Sequence, residues 1–213
     1  MIRNNKWKLL ISSLVILLPV LAGLLLWDVL PEQIPTHWGV NGQPDGWSSK
    51  AVAVFALPGF LLAMHWLCMI VTATDPKNKN QSPKAFRLTL WIVPALSLLL
   101  GTVVYITAMG GEIGVDTVVP AFVGLLLAVV GNYLPKCSQN HTIGIKISWT
   151  LYSEENWNAT HRFAGKVWVI GGLVIAAGSF LPGSWTFGVL LAVAAAMVIL
   201  PVVYSYRYYK KEQ

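Results

Sequence analysis

The chain has 213 residues, of which 55% are hydrophobic and only 11% are charged, and its mean hydropathy is +0.61. A soluble domain carries roughly 25% charged residues, so this chain has too few to cover a water-exposed surface. The net charge of +6 would suggest nucleic acid in a soluble protein, but no basic run here is interleaved with aromatic residues as in nucleic-acid readers. We therefore predict a membrane protein that crosses the bilayer several times and binds no nucleic acid directly.

Six apolar segments approach the roughly 20 residues that a helix needs to cross a hydrocarbon core of about 30 Å. In chain order they are 9–30, 51–72, 86–109, 117–134, 166–180 and 185–204. The first could also be a signal peptide cleaved near Val20-Leu21-Ala22, but its apolar run continues to Trp27, which favours an uncleaved helix. The fifth is short, and an extension into the preceding segment would complete it. The sequence thus predicts an all-α integral membrane protein, a bundle of six transmembrane helices.

The distribution of basic residues predicts the orientation of this bundle. Fourteen of the 15 Lys and Arg residues lie on one side of the predicted spans, and only Lys50 lies on the other. Because Lys and Arg concentrate in cytoplasmic loops, we predict that both termini are cytoplasmic. Sequons at Asn80, Asn140 and Asn158 fall in loops assigned to the cytoplasm, so we interpret all three as chance matches to the glycosylation pattern.

The loop after the first span, residues 31–49, is predicted to be ordered and to lie on the outer surface. Asn41-Gly42 and Pro44-Asp45-Gly46 are both turn signals, and two tryptophans suit the headgroup level. His37 and Asp45 could be metal ligands, but without a third ligand they do not predict a metal site. The loop is either an aromatic-anchored lid or a surface that an extracellular peptide would meet first. In the second case the binding residues are Pro35, His37, Trp38, Asp45 and Trp47.

The segment between the fourth and fifth spans, residues 135–165, is too long for a structureless connection. Ser153 is a suitable N-cap, and Glu154 and Glu155 would occupy the first turn, where the helix dipole favours acids. Four residues then recur on one helical stripe, namely Trp157, His161, Ala164 and Trp168. The pattern predicts an amphipathic helix that lies in the inner membrane interface and turns into the fifth span.

Cationic side chains in this inner segment suggest an anion site. Lys and Arg bind phosphate, so the segment could hold an anionic lipid headgroup or an acidic partner segment. The alternative is ordinary anchoring at the membrane surface by basic residues. The cationic patch would include Lys136, Lys146, Arg162, Lys166, His141 and His161. The predicted inner binding residues are Asn132, Lys136, Asn140, Gly144, Lys146, Trp149, Thr150, Trp157, His161, Arg162 and Gly165.

The remaining chemistry of the chain does not indicate an enzyme. It contains no paired carboxylates, no convincing Ser/His/Asp set and no phosphate-binding glycine loop, so we predict no catalytic residue, no cofactor and no metal. His65 is the one ionisable residue well inside a predicted span, and it has either a functional or a hydrogen-bonded packing role. Cys68 and Cys137 are predicted to be buried free thiols. Pro19 and other prolines inside the spans predict bent helices.

Several short motifs distinguish this chain from a generic membrane protein. The N-terminal half contains Leu30-Pro31-Glu32-Gln33-Ile34-Pro35-Thr36-His37-Trp38. The C-terminal half contains Gly131-Asn132, Asn140-His141-Thr142-Ile143-Gly144-Ile145-Lys146, Trp149-Thr150-Leu151 and Thr160-His161-Arg162-Phe163-Ala164-Gly165-Lys166. In these motifs the chain resembles the bacterial SdpI family over nearly its whole length.

The resemblance implies a six-span protein of the plasma membrane that gives immunity to a secreted sporulation-delaying toxin. In the best-known case the toxin-engaged protein also holds a small transcriptional repressor at the membrane. The resemblance therefore implies two partners, a secreted peptide toxin and a small cytoplasmic repressor, and the basic inner segment adds anionic lipid headgroups at the inner face as expected partners. The implied regions are 1–116, with three helices and the outer loop, and 117–213, the SdpI-like region with three helices and the inner segment.

Two alternative functions remain open at this point. A small transporter or a lipid-headgroup-handling membrane enzyme would require a polar cavity that reaches from the inner segment between the helices. A simple membrane scaffold would have no ligand at all.

Overall fold

The computed structural model describes residues 5–77 and 83–212, and these residues are largely helical. The elements are α1 (Lys6–Leu25), β1 (Gln33–Trp38), β2 (Pro44–Ser49), a π-helical turn (Val52–Ala56) that leads into α2 (Leu57–Thr74), α3 (Pro83–Ala108), α4 (Val115–Tyr133), a 3₁₀ turn (Leu134–Lys136), α5 (Ser148–Tyr152), α6 (Glu154–Gly178) and α7 (Gly183–Glu212). Arg3, Lys79 and the Asn80 sequon lie outside the described residues.

Five helices in the described part of the chain are long and apolar enough to cross a membrane. They are α1, the π-helical turn with α2, most of α3, α4 with the following turn, and α7. The sixth long helix, α6, has 25 residues but is not among them, because its first half, through Lys166, is polar. The class of all-α membrane protein is thus confirmed, whereas length and composition give five spans and not the six predicted.

Contacts within the chain group it into two compact units. The first unit comprises Met1–Ile70 and Thr89–Val119, and the second comprises Val71–Leu88 and Pro120–Gln213. The predicted division into regions 1–116 and 117–213 remains a prediction about domain organisation.

In the first unit, the predicted outer loop forms a β-hairpin. β1 and β2 pair antiparallel, with Gln33 opposite Ser49, and irregular pairing near His37 marks a bulge. Gly42 has a φ of +73° in the connecting turn, a conformation that glycine adopts without steric cost, so the Asn41-Gly42 turn is confirmed. The turn predicted at Pro44–Gly46 is wrong, since these residues begin β2, where Pro is tolerated as the first strand residue.

Lys50 connects this hairpin to the end of α1. Its side chain is only 9% exposed, and its ammonium group lies 3.0 Å from the Trp27 carbonyl and 3.0 Å from a Glu32 carboxylate oxygen. The ammonium also lies 5.3 Å from the centre of the Trp27 ring, at cation–π distance. The only basic residue assigned to the outer side is therefore neutralised and held against the protein.

Two proline positions show how the spans accommodate a lost hydrogen bond. Pro201 has no N–H to donate to the Met197 carbonyl, and Trp168 Nε1 donates to that carbonyl instead at 2.9 Å. In the first unit, Pro58 follows directly on the π-helical turn, a local adjustment typical of proline in a membrane helix.

His65 is completely buried in the first unit, and a hydrogen bond explains how it is tolerated. Its Nε2 lies 3.0 Å from the Ser12 hydroxyl, which itself donates to the Leu9 carbonyl, so Nε2–H is the donor to Ser12. Of the two cysteines, both free, Cys137 is buried as predicted. The prediction of a buried thiol is wrong for Cys68, which is exposed on α2.

Candidate functional site

The connection between α4 and α6, residues 134–153, is organised by side chains that bind its own backbone. Asn140 is fully buried, and its amide nitrogen donates to the carbonyls of Ser138 and Ile143 at 2.7 and 2.9 Å. Its amide oxygen accepts from the backbone N–H groups of Thr142 and Ile143. Because every polar atom of the Asn140 amide is used, the side chain is a structural hub, and its sequon is closed to glycosylation in the folded protein.

Thr150 has the same kind of role at α5. Its hydroxyl lies 2.9 Å from the carbonyls of both Ile145 and Ile147, and it accepts from the Ile147 N–H. At the C-terminal end of this short helix, the Gln139 amide nitrogen donates to the carbonyls of Thr150 and Leu151 at 2.8 and 3.0 Å. Both side chains replace the backbone hydrogen bonds that an irregular segment cannot make with itself.

Trp157 and His161, at the start of α6, fix the connection onto the helix. The rings stack with their centres 4.0 Å apart, and Trp157 Nε1 donates to the Cys137 carbonyl at 2.8 Å. His161 Nδ1 lies 2.8 Å from the Trp157 carbonyl, and Nε2 lies 3.0 Å from the Ile145 N–H. Nε2 must accept from that N–H, so Nδ1 carries the proton and the ring is neutral. Burial accordingly lowers the pKa of His161 to about 4, although the bond to Trp157 opposes the shift.

Gly144 lies directly against this stacked pair. Its φ is +120°, a conformation that other residues rarely adopt, and a Cβ built there would lie 3.0 Å from Trp157 and closer still to His161 Nε2. A glycine is required here both by the backbone conformation and by the close approach of the two rings.

Asp75, which the sequence analysis missed, anchors the connection to the residue stretch after α2. One carboxylate oxygen accepts from the His141 N–H at 2.7 Å and from the Thr142 hydroxyl at 3.0 Å, and the other accepts from the Lys77 N–H. Burial acts to raise the pKa of Asp75, but these hydrogen bonds outweigh it and lower the pKa overall. The sequence feature that could have identified Asp75 is that it is the only acid in an otherwise basic loop.

Cys137 is a buried thiol within the same structure. Its Sγ donates to the Tyr133 carbonyl at 3.6 Å, and burial raises the pKa of the thiol to about 11. Because the thiolate is the reactive form, the raised pKa and the burial of Cys137 both disfavour its reaction at neutral pH.

Gly165, another predicted binding residue, mediates helix packing. A Cβ at Gly165 would lie 2.9 Å from the Gly131 carbonyl, and a Cβ at Gly131 would lie 2.7 Å from the Val169 nitrogen. One heptad further along each helix, Gly124 and Gly172 are in equally close contact. Small residues that bring backbones together are typical of helix contacts in membranes, so these glycines set the spacing of α4 and α6.

Above this glycine contact lies an open groove of about 680 Å³. It is lined by Gly131, Asn132, Pro135, Ala159, Arg162, Phe163, Gly165, Lys166, Val169, Ile170 and Tyr204. Arg162 and Lys166 are exposed, one helical turn apart on α6. Within residues 5–77 and 83–212, neither forms a hydrogen bond or an ion pair. The groove thus combines two available cations with apolar walls.

The predicted cationic patch is only partly assembled. His161 is neutral and buried, and Lys146 donates to the Thr142 carbonyl at 3.0 Å. Lys136 lies over the Tyr133 ring, with its ammonium 4.4 Å from the ring centre. His141 is exposed but does not line the groove. Of the six cationic residues, only Arg162 and Lys166 line the groove, and a single patch of all six stays a prediction.

The helix predicted from Ser153 is confirmed, but its aromatic stripe faces the protein and not the lipid interface. The Ser153 hydroxyl caps α6 by accepting from the Asn156 N–H at 3.0 Å. Trp157, His161 and Ala164 are all fully buried, which the spacing alone could not distinguish from membrane contact. Trp149 is half-buried and packs against Tyr206 and Tyr209 of α7 with ring centres 5.5 and 6.0 Å away.

The predicted outer residues have quite different surroundings. His37 and Asp45 are exposed and lie across the hairpin, with Nδ1 and Oδ1 only 2.5 Å apart. Trp47 is 56% exposed, whereas Pro35 is buried and Trp38 is partly buried. Three of the five predicted residues are therefore on the surface of the hairpin.

The described residues contain no group of three His, Cys, Asp or Glu side chains that could hold a metal ion. Chemically, the arrangement in the second unit favours binding of an anion: the cations Arg162 and Lys166 are accessible, whereas the polar side chains of Asn140 and Thr150 are already occupied by hydrogen bonds to backbone. The fold and this site define a mostly helical membrane protein with several candidate spans and an ordered connection between α4 and α6.

Comparison with known proteins identifies the family. Residues 136–205 match the SdpI/YfhL protein family, and residues 14–62 match a domain of unknown function, DUF1648. The chain is 30% identical over 204 residues to the immunity protein SdpI of Bacillus subtilis (strain 168), covering 96% of this chain and 97% of that protein. The chain belongs to the SdpI family. No solved structure matches it.

Proposed function

We propose that the chain is a plasma-membrane immunity protein that protects the cell from a secreted, membrane-active peptide toxin. The observation that carries this proposal is the similarity to an immunity protein along nearly the full length of both chains. Binding, and not catalysis, would provide the protection. The proposal therefore includes no catalytic residue and no cofactor.

The proposed topology has six spans with both termini in the cytoplasm. Five helices meet the requirements for a span, and α6 would provide the sixth. Its apolar half, from Val167, is short, but the helix is continuous and α7 follows after the tight turn 179–182. The basic residues of the α4–α6 connection favour the cytoplasmic side.

The outer hairpin is the proposed site of toxin recognition. Its backbone ladder holds the loop in shape, so exposed side chains need not contribute to folding. Trp47 and the His37–Asp45 pair could therefore engage a peptide at the membrane surface. A large amphipathic ring at headgroup level is well suited to an amphipathic peptide.

The inner surface is the proposed site for a small cytoplasmic repressor. Of the predicted inner residues, those with exposed or half-buried side chains, such as Lys146 and Trp149, could contact a partner. Toxin binding could change repressor binding only if the toxin has different affinities for two states of the protein.

A killing assay tests the proposed function. Toxin-sensitive cells would express this chain, or an empty vector, and survival would be measured against purified sporulation-delaying toxin. We expect the chain to be found in the plasma-membrane fraction and to shift the killing curve to about tenfold higher toxin or more. Unchanged killing despite correct membrane insertion would refute immunity.

One observation favours a second function, a small transporter or lipid-headgroup-handling membrane enzyme. That function requires a polar opening next to the inner segment, and the groove presents two accessible cations, Arg162 and Lys166, in an otherwise largely apolar lining. A chain that fails the killing assay but moves or modifies a labelled lipid in vesicles would support this alternative. Failure in both assays would leave a scaffold.

A further inference from the structure

The groove in the second unit places two cations close together with no neutralising partner. Arg162 and Lys166 are separated by four residues on α6, which puts both side chains on the same helix face. Like charges at this spacing repel each other, and no carboxylate among the described residues lies within ion-pair distance of either. An anion bound between them would remove this repulsion and complete the charge balance of the groove.

The groove changes from polar to apolar along the axis of α6. Arg162 and Lys166 line one end, and Val169 and Ile170 continue the same lining. The distance along the axis from Arg162 to Ile170 is about 12 Å at 1.5 Å per residue. Ile170 is 63% exposed, so the apolar end is open and not filled by the protein itself.

Further side chains give the groove a defined shape. Phe163 stacks on Tyr204 of α7, with ring centres 4.4 Å apart and an interplanar angle of 9°. The close contact of Gly131 and Gly165 forms the floor, so no side chain obstructs it. Asn132, an exposed residue of α4, adds a hydrogen-bonding amide to the same lining.

We propose that this groove binds a single phospholipid. Its phosphate lies between Arg162 and Lys166, its polar headgroup contacts Asn132, and one acyl chain extends along Val169 and Ile170. A phosphate attached to a hydrocarbon chain matches the spatial order of polar and then apolar groups along the groove. A free phosphate would leave the apolar half unoccupied. The inference does not depend on toxin immunity and would stand if the killing assay failed.

Native mass spectrometry of the full-length protein in detergent tests the proposal. Phosphatidylglycerol is titrated against the protein, in parallel with diacylglycerol, which lacks the phosphate, and glycerol 3-phosphate, which lacks the chains. We expect one saturating phosphatidylglycerol adduct and roughly tenfold weaker binding, or none, for each of the other two. Equal binding of diacylglycerol, or full competition by glycerol 3-phosphate, would overturn the proposal.

Variants locate the adduct on the protein. Arg162→Gln with Lys166→Gln should weaken phosphatidylglycerol binding by roughly tenfold or more. The matched control, Lys210→Gln with Lys211→Gln, removes the same charge from the end of α7 and should change binding by less than about twofold, because neither residue lines the groove.

A second variant keeps the charges and blocks the space. Asn132→Trp places a large ring at the edge of the groove and should weaken the adduct while Arg162 and Lys166 remain. Thermal unfolding and gel filtration confirm that each variant is folded. An adduct that is unchanged in both groove variants, or equally weakened in the Lys210/Lys211 control, would show that the lipid binds elsewhere on the surface.

Discussion

The outer hairpin and the α4–α6 connection achieve order in opposite ways. In the hairpin, β1 and β2 pair through their backbones, and alternate side chains of β2, such as Trp47, remain exposed. The inner connection has no partner strand, so buried side chains such as Asn140, Thr150 and His161 bind its backbone instead. Polar side chains of the α4–α6 connection are therefore occupied by hydrogen bonds that hold the fold, whereas polar side chains of the outer hairpin remain accessible.

This difference changes the interpretation of the inner motif. Residues such as Asn140, Gly144 and Trp157 are so interlocked that substitution would disrupt the fold before it revealed a binding role. The side chains that remain accessible to a ligand are instead Arg162 and Lys166 on α6. Variants should therefore destabilise the inner connection strongly and the outer hairpin weakly.

The largest effect is expected for Gly144→Ala. The added Cβ would meet Trp157 and His161, and alanine would be strained at a φ of +120°. Backbone strain and overpacking each cost roughly 1–3 kcal/mol, so the free energy of unfolding should fall by about 4 kcal/mol. Denaturant unfolding in detergent micelles, followed by tryptophan fluorescence, measures this change.

Gly188→Ala is the matched control for this substitution. A Cβ at Gly188 meets no atom within 4 Å, and alanine is the better helix former inside α7. Its stability should be unchanged or slightly higher. Equal unfolding midpoints for Gly144→Ala and wild type would show that the inner connection is not held as tightly as its contacts indicate.

The next effect is a pH dependence of stability caused by His161. Burial lowers its pKa to about 4, from 6.5 in the unfolded chain, so the neutral ring stabilises the fold fully above pH 6.5. As the pH falls from 6.5 to 4 the unfolded chain gains a proton first, and about 3 kcal/mol should be lost. Measuring the unfolding free energy across this range tests the prediction.

His161→Gln separates this histidine from the other titrating groups. Gln does not titrate, so the stability of the variant should depend less on pH. Its amide can still donate to Trp157 and accept from Ile145, but the ring stacked on Trp157 is lost, so the variant should be less stable at pH 7. The difference between the wild-type and variant curves of unfolding free energy against pH measures the contribution of His161. Parallel curves for the wild type and the variant would contradict a neutral, buried ring.

Regular parts of the fold were predictable because they depend on local signals. Apolar runs of span length predicted the helices, Asn41-Gly42 predicted a turn, and Ser153 predicted the start of α6. Strand pairing was missed, since two short polar segments do not show the alternation that indicates strands. The burial of Cys68 was wrongly predicted because an apolar helix does not reveal which face is covered by protein.

The site was less predictable because it depends on contacts distant in sequence. Spacing grouped Trp157 and His161 correctly on one stripe but could not tell whether lipid or protein covers it. Asp75 binds residues 141 and 142, more than 60 positions away, which no local pattern encodes. The spacing of Arg162 and Lys166 makes them neighbours on one helix face, but only the packing of α4, α6 and Tyr204 forms the groove that they line.

The smallest effect on stability, but a clear effect on function, is expected for Trp47→Ala. The side chain is 56% exposed and the β1–β2 ladder does not need it, so the free energy of unfolding should change by less than about 0.5 kcal/mol. If the hairpin recognises the toxin, the variant should nevertheless lose protection by severalfold in the killing assay.

Trp7→Ala is the control for this variant. Trp7 is 68% exposed near the start of α1, on the side predicted to be cytoplasmic, so its substitution should leave protection intact. Equal protection by both variants would place toxin recognition outside the hairpin tip, whereas a large loss of stability in Trp47→Ala would show that the outer hairpin, like the inner connection, uses its side chains to fold.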